Sequence, residues 1–239
     1  CIRDRYTAPR TGHEYTIMDR NVGATTSTLG LVTTQGLQYQ FGRKDPFTTS
    51  LDYDEEVAVF LRNVRSDSLP HLFSYEEPLT IAQAIGKPDV FIHRMNLSGG
   101  KWCETSEMKY LWGNPEGQVE YFPSLTVKTI YDPCPIGYKV PPVDALILKM
   151  KSYSQYEHGG IYYAGEEGDN TKLINMPAVH SAYYAYGTSI AYWTSSDFGK
   201  PNSTFEWGEF GVMHTYYPGS YTLRYNAFAR PGSIRCVKE

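Results

Sequence analysis

Short runs of alternating apolar and polar residues mark the first fifty positions of the chain. Glu14 to Met18 alternates, and Leu37 to Phe41 alternates again before the Asp45-Pro46 pair, which interrupts a strand. A period of two places successive side chains on opposite faces of a sheet. Both segments are predicted strands, whereas the polar, irregular stretch from Leu51 to Pro78 is predicted to be a long surface excursion.

Two later segments have helical spacing. Thr80 can cap a helix that begins at Ile81, and Gly86 ends it after about two turns. A second helix is predicted from Val143 to Tyr153, after a Pro-Pro pair. Its apolar positions recur at i, i+3, i+4 and i+7, at Val143, Leu146, Ile147 and Met150.

Glycines punctuate the chain after Ser154, and aromatic, β-prone runs lie between them. This pattern favours an antiparallel sheet with long irregular loops. Two helices combined with such a sheet indicate the α+β class and disfavour an alternating βαβ enzyme fold.

Charge and hydropathy exclude two classes of partner. The chain has 239 residues, a formal net charge of -4 and a charged fraction of 20%. Its basic residues form no stripe that could contact a phosphate backbone, so no nucleic acid is predicted as a partner. No apolar run approaches the roughly 18 residues of a membrane span, so no transmembrane segment is predicted in this chain.

The four cysteines lie at positions 1, 103, 134 and 236. They form no CxxC pair, which argues against a zinc site, and their even number indicates an oxidising compartment. The residues alone leave all three pairings open. Cys1 is open in its own right: it could be lipidated as in a lipoprotein, disulfide-bonded, or a boundary within a longer protein.

A set of ordered motifs carries a family resemblance. They are YTIMDRNVGA at 15–24, GLQYQFGRKDPF at 36–47, LWGNP at 111–115, YDPCPIGYKVP at 131–141, AYWTSS at 191–196 and SIRCVK at 233–238. Together they resemble the Fibrobacter succinogenes major paralogous domain family, a C-type-lectin-like group frequent in surface and fimbrial adhesion proteins of Bacteroidetes. Tyr138 stands where a tryptophan often follows the glycine in that family.

The resemblance implies one C-type-lectin-like domain over residues 1–239, with an insertion around 48–79. It implies a disulfide between Cys134 and Cys236, and Trp193 is expected in the core. It also implies an extracellular or outer-membrane location at the cell surface.

Calcium and metal sites find little support in the residues. The triplets that calcium-dependent C-type lectins use lack the needed acid or amide here, and the acidic run at 166–170 is interpreted as a solvated loop. The histidines show no metal-ligand spacing. No cofactor and no catalytic residue are predicted.

The region from Ala178 to Asn226 is rich in the residue types that antibody paratopes use. Tyrosine supplies a large contact area with few torsions to freeze, and small polar neighbours let a loop adapt. The alternative is that the tyrosines cover a sheet as half-buried residues. The predicted ligand-binding residues are Tyr183, Tyr184, Tyr186, Trp207, His214, Tyr216, Tyr217, Tyr221, Arg224, Tyr225 and Asn226.

These observations predict a non-enzymatic module for cell adhesion or ligand binding, with a surface glycan or a protein as the ligand. It could lie at the tip of a fimbrium. One alternative is a structural domain that docks to pilus or fimbria subunits. Another is an enzyme of the formylglycine-generating type, which shares the fold but requires reactive thiols, whereas Cys236 is expected in a bridge.

Overall fold

A computed structural model of the protein provides the architecture. The residues that it describes are 3–8, 12–28, 34, 36–46, 48–49, 72–74, 79–88, 91–93, 102–103, 110–113, 126–146, 149–156, 159–165, 174–177, 190–195, 212–214 and 232–239. All structural statements below concern these residues.

A four-stranded antiparallel sheet joins both ends of this sequence. Its order is β1 (Arg3–Thr7), β2 (Glu14–Met18), β14 (Val237–Lys238) and β7 (Tyr138–Lys139). Val237 lies opposite both Ile17 and Lys139, so the last strand is inserted between two earlier ones. The predicted strand β2 is confirmed. Its alternating apolar and polar residues place Tyr15 and Ile17 on the face that packs into the core, where both are buried.

A five-stranded sheet has the order β12 (Val212–His214), β11 (Ile190–Tyr192), β13 (Gly232–Ser233), β3 (Leu37–Tyr39) and β4 (Thr48–Thr49). Only the β11–β13 pair within this sheet is parallel. The predicted strand from Leu37 is confirmed but ends at Tyr39, because the chain turns there: the Arg43 amide donates to the Gln40 carbonyl at 3.1 Å.

The predicted helix from Val143 to Tyr153 is wrong. A 3-10 helix covers only Val143–Leu146, and the chain then enters β8 (Lys149–Tyr156). This strand pairs with β9 (Gly159–Gly165), which pairs with β10 (Ile174–Pro177), in a three-stranded antiparallel sheet. The helical spacing extended over too few residues to outweigh the Ser/Tyr alternation that follows it, which suits a strand.

The single described α-helix is α1 (Ile81–Ile85), as predicted. The Thr80 hydroxyl accepts from the Gln83 amide, and the Gln83 side chain accepts from the Thr80 amide, which completes a capping box. Gly86 ends the helix. A short parallel pair flanks it, consisting of β5 (Leu72–Ser74) and β6 (Phe91–His93).

The core is built around three aromatic rings. Phe41 packs on Trp112 with ring centroids 4.8 Å apart and on Trp193 at 5.7 Å. All three side chains are at most 1% exposed, so the predicted core position of Trp193 is confirmed. The implied disulfide is also confirmed: Cys134 is bonded to Cys236 across a sequence separation of 102.

Mostly antiparallel sheets with few helices agree with the predicted α+β class. Most of the predicted insertion at 48–79 lies outside the described residues. Within the described part of the chain, no helix is both long and apolar enough to cross a membrane.

Candidate functional site

The predicted ligand-binding residues lie almost entirely in the connections around β11, β12 and β13. Ten of them lie outside the described residues: Tyr183, Tyr184, Tyr186, Trp207, Tyr216, Tyr217, Tyr221, Arg224, Tyr225 and Asn226. Only His214 falls on a described element, as the last residue of β12. The structure does describe where each of these connections meets the five-stranded sheet.

Two tyrosine-bearing connections meet the sheet at the same end. Residues 178–189 lead into Ile190, which pairs with His214, the residue from which the 215–231 connection starts. That connection returns to the sheet at Gly232. Since β13 runs parallel to β11, with Ser233 beside Tyr192, Gly232 enters the sheet from the end at which β11 begins. We call this end the His214 end and the two segments the tyrosine connections.

Trp207 belongs to a different connection. Residues 196–211 lie between the end of β11 and the start of β12, and Tyr192 pairs with Val212 at that position. This connection therefore joins the sheet at the end opposite the His214 end. The strand order thus separates the attachment of the Trp207 segment from that of the tyrosine connections, although sequence reasoning grouped them.

A third segment leaves the sheet at the His214 end. Tyr39, the last residue of β3, lies opposite Gly232, and the hairpin to β4 runs through residues 40–46. The Arg43 guanidinium fixes this hairpin to the segment that follows α1, donating to the Lys87 carbonyl at 2.6 Å. It also lies 6.0 Å from the ring of Trp102, whose indole donates to the Phe41 carbonyl at 2.7 Å. The hairpin is therefore firmly held beside Gly232, the residue at which the second tyrosine connection rejoins the sheet.

The sheet beneath these connections is tightly anchored. The Trp193 indole donates to the Tyr39 carbonyl at 2.8 Å, and the Trp193 amide donates to the Ser233 carbonyl at 2.9 Å. Gly232 is required by this packing, since a Cβ there would lie 2.6 Å from the indole nitrogen.

Tyr192 shows that one tyrosine of this region is structural. Its side chain is 1% exposed, and burial is the main cause of its raised pKa. It forms side-chain hydrogen bonds with Asn21 and Arg235, which lower that pKa in part. The Arg235 guanidinium in turn donates to Asn21 at 2.8 Å and to the Met18 carbonyl at 3.3 Å. This network ties the five-stranded sheet to the last residue of β2.

A buried carboxylate that sequence reasoning missed organises the segment around the disulfide. Asp132 accepts from the Cys134 amide at 2.7 Å, the Val140 amide at 2.8 Å and the Lys128 ammonium at 3.0 Å. Burial raises the pKa of this carboxyl, and the three hydrogen bonds oppose that effect. The sequence signal that could have indicated this contact is the pair of opposite charges four residues apart, on Lys128 and Asp132.

The described residues contain no group of three or more His, Cys, Asp or Glu side chains that could hold a metal ion. The acidic run at 166–170 lies outside them. Comparison of the chain with protein-family models, with curated proteins and with solved structures found no match.

Proposed function

We propose that the protein is a ligand-binding or adhesion module, and that the tyrosine connections at the His214 end bind a glycan or a protein partner. The supporting observation is that two segments distant in sequence, 178–189 and 215–231, attach to neighbouring strands at one end of one sheet. Together they carry nine of the predicted side chains beyond His214, all except Trp207.

The physical argument is one of preorganisation. A loop that starts and ends on a rigid base loses less conformational freedom when it binds a ligand. The 215–231 connection starts and ends on the five-stranded sheet, where Trp193, Tyr39 and the hairpin that contains Arg43 supply such a base, and the 178–189 connection joins the same base at one end. Tyrosine then contributes contact area at low entropic cost, either by stacking on sugar rings or by anchoring a protein.

The fold proposed for the chain is C-type-lectin-like, which the motif resemblance implies. Two findings support it. The architecture is mostly antiparallel, and the disulfide that the resemblance implies joins Cys134 to Cys236. The disulfide also agrees with an extracellular or outer-membrane location, because such bonds persist in oxidising compartments.

Two alternatives follow from the same sequence. A structural domain that docks to pilus or fimbria subunits would use its surface for assembly rather than for an external ligand. An enzyme of the formylglycine-generating type is the less favoured alternative, because Cys236 is held in the disulfide.

Replacement of Tyr216, Tyr217 and Tyr221 by alanine tests the proposal. The triple variant and the unaltered protein would be compared on a glycan array and against immobilised surface proteins. Loss of at least tenfold in affinity for a bound ligand is expected, since removal of a central aromatic contact costs about 2 kcal/mol.

The matched control replaces the same three residues by phenylalanine. That variant retains the rings and should retain most of the affinity if stacking dominates. Unfolding temperatures must agree among the three proteins, so that a loss reflects the surface and not the scaffold. Undiminished binding by the alanine variant would remove these residues from the proposed site.

A further inference from the structure

Four oxygen atoms converge on the ammonium nitrogen of Lys128. They are a carboxylate oxygen of Asp132 at 3.0 Å and the carbonyl oxygens of Cys134 at 2.6 Å, Tyr138 at 2.6 Å and Pro135 at 3.5 Å. Because all four lie within hydrogen-bond reach of one nitrogen, they surround a single point. We call these four oxygens the oxygen cage.

The carbonyl groups of the oxygen cage are fixed by bonds that do not involve Lys128. The Tyr138 amide donates to the Pro135 carbonyl at 3.0 Å, which closes a turn, and Tyr138 lies in β7 beside the last strand of the chain. Cys134 is held by its disulfide to Cys236. The backbone part of the cage is therefore built into the scaffold around the disulfide.

The carboxylate of the oxygen cage is also fixed, and it is shielded from water. The Asp132 side chain is 0% exposed, whereas the Lys128 side chain is 21% exposed. The carboxylate accepts from the Cys134 amide at 2.7 Å and from the Val140 amide at 2.8 Å. A buried carboxylate requires a compensating positive charge, because removal of its partner leaves an unpaired charge in the interior. The cage thus requires a cation, which Lys128 supplies.

The oxygen cage has the composition of a calcium site. Calcium binds carboxylate and backbone carbonyl oxygens in flexible geometry, and water can complete its shell of about six to eight oxygens. Magnesium requires a near-ideal octahedron and gives up its water reluctantly, so it suits the cage less well. Three of the four oxygens belong to the backbone, which explains why no acidic sequence motif reveals this site. A single carboxylate implies weak binding, with a Kd of about 1 mM.

The neighbouring charges do not replace Lys128 in the oxygen cage. Lys139 is a second cation that interacts electrostatically with Asp132, and it interacts with Glu239 as well. Its ammonium donates to the Thr126 carbonyl at 2.6 Å, which is not part of the cage. Since the charges of Lys139 and Glu239 offset each other, removal of the Lys128 charge leaves one negative charge in the cage.

We propose that the oxygen cage is a cation site whose resident cation is the chain's own Lys128 ammonium, and that a calcium ion binds in the cage when this ammonium is absent. A group tethered next to its site has an effective concentration of about 1 mM or more, so the ammonium excludes free calcium from the unaltered protein. The segment around the disulfide consequently keeps its structure in media with or without calcium. This inference is independent of the tyrosine connections.

Lys128→Met tests the proposal, because methionine retains much of the apolar stem and removes the ammonium. In a buffer that contains a calcium chelator, the unfolding temperature of this variant should fall by at least about 5 °C, since the buried carboxylate has lost its partner. Calcium at about 10 mM should raise it again by about 3 °C or more, the shift for a ligand at about ten times its Kd. The unaltered protein should shift by less than about 1 °C on the same addition.

Terbium luminescence measures the bound ion directly. Tb³⁺ occupies oxygen-lined calcium sites and is excited through nearby tyrosine and tryptophan rings, and Tyr138 itself contributes a cage oxygen. Addition of Tb³⁺ to Lys128→Met should give more luminescence than addition to the unaltered protein. Calcium should remove this difference by competing for the same site.

Lys139→Met is the matched control. It removes an ammonium near the same carboxylate but leaves Lys128 in the oxygen cage. Calcium should therefore neither stabilise this variant nor compete with terbium for an additional site. Magnesium at equal ionic strength, added to Lys128→Met, separates ion binding from general screening of charge.

Failure of calcium to stabilise Lys128→Met would overturn the proposal, whether that variant is folded or unfolded in the chelator. Equal stabilisation by magnesium, or an equal calcium effect on the unaltered protein, would also overturn it. If Lys128→Met is unfolded without calcium, recovery of the native circular dichroism in calcium alone would support the proposal.

Discussion

The indole nitrogen of Trp193 donates a hydrogen bond of 2.8 Å to the carbonyl oxygen of Tyr39, which lies 154 residues earlier in the chain. The bond spans β13, because Tyr39 and the residue preceding Trp193 belong to the two strands that flank it. One buried ring thus connects two distant parts of the sequence at the base of the proposed binding surface.

Gly232→Ala should disrupt this arrangement. The added methyl would lie 2.6 Å from the Trp193 indole nitrogen, so the ring must shift away from Tyr39. We expect the free energy of unfolding to fall by about 2–3 kcal/mol, as for an overpacked core. Chemical denaturation followed by tryptophan fluorescence would measure it.

Gly86→Ala is the control for that substitution. Its added methyl would lie 3.5 Å from the nearest heavy atom, which is ordinary contact, so stability should change by less than about 1 kcal/mol. Equal stability of the Gly232 and Gly86 variants would contradict the tight packing of Trp193.

The disulfide is predicted to contribute about 4 kcal/mol, because it closes a loop of 102 residues in the unfolded chain. Cys134→Ser with Cys236→Ser should lower the unfolding temperature of the protein. A reducing agent should lower it for the unaltered protein and leave the double variant unchanged. An unaltered protein that melts at the same temperature with and without reductant would refute this prediction.

Tyr6 and Tyr15 offer a matched pair of hydroxyl deletions. The Tyr15 hydroxyl donates to the buried Asp144 carboxylate at 3.1 Å, whereas the Tyr6 hydroxyl is buried without a hydrogen-bond partner among the described residues. Tyr15→Phe should cost about 2 kcal/mol of stability, and Tyr6→Phe should be neutral or stabilising by up to about 1 kcal/mol. The reverse order in urea unfolding would contradict the assigned contact.

Alkaline pH should destabilise the fold through its buried phenols. Burial raises the pKa of Tyr6, Tyr15, Tyr39 and Tyr192. In the unfolded chain these phenols ionise near pH 10, so above that pH the folded state binds more protons than the unfolded state. The free energy of unfolding therefore falls as pH rises above about 10.

A spectrophotometric titration of the tyrosines, followed together with circular dichroism, checks the alkaline prediction. Part of the phenolate absorbance should appear only as the native signal is lost. Complete ionisation near pH 10 with the native signal intact would show that the four phenols are accessible.

Local sequence patterns predicted the elements that are stabilised by residues close to one another in the sequence. Thr80 and Gln83 form the capping box within one turn of α1, and the alternation of β2 places Tyr15 and Ile17 in the core. The bond between Cys134 and Cys236 followed from the motif resemblance, since the residues alone left three pairings open.

Long-range pairing decided the elements that sequence reasoning missed. The segment from Lys149 to Tyr156 is a strand because β9 pairs along it, which the apolar spacing after Val143 does not reveal. The common attachment of the tyrosine connections depends on the order of β11, β12 and β13. The inward direction of the Lys128 side chain, which bonds the Asp132 carboxylate and the Tyr138 carbonyl, is likewise not specified by the sequence.

Tyrosine footprinting with hydroxyl radicals, read by mass spectrometry on the folded protein, tests the central claim most directly. The account predicts rapid modification of Tyr216, Tyr217 and Tyr221, while the buried Tyr39 and Tyr192 stay protected until the protein unfolds. If those three tyrosines prove as protected as Tyr192, they are packed in the interior, and the recognition surface at the His214 end does not exist.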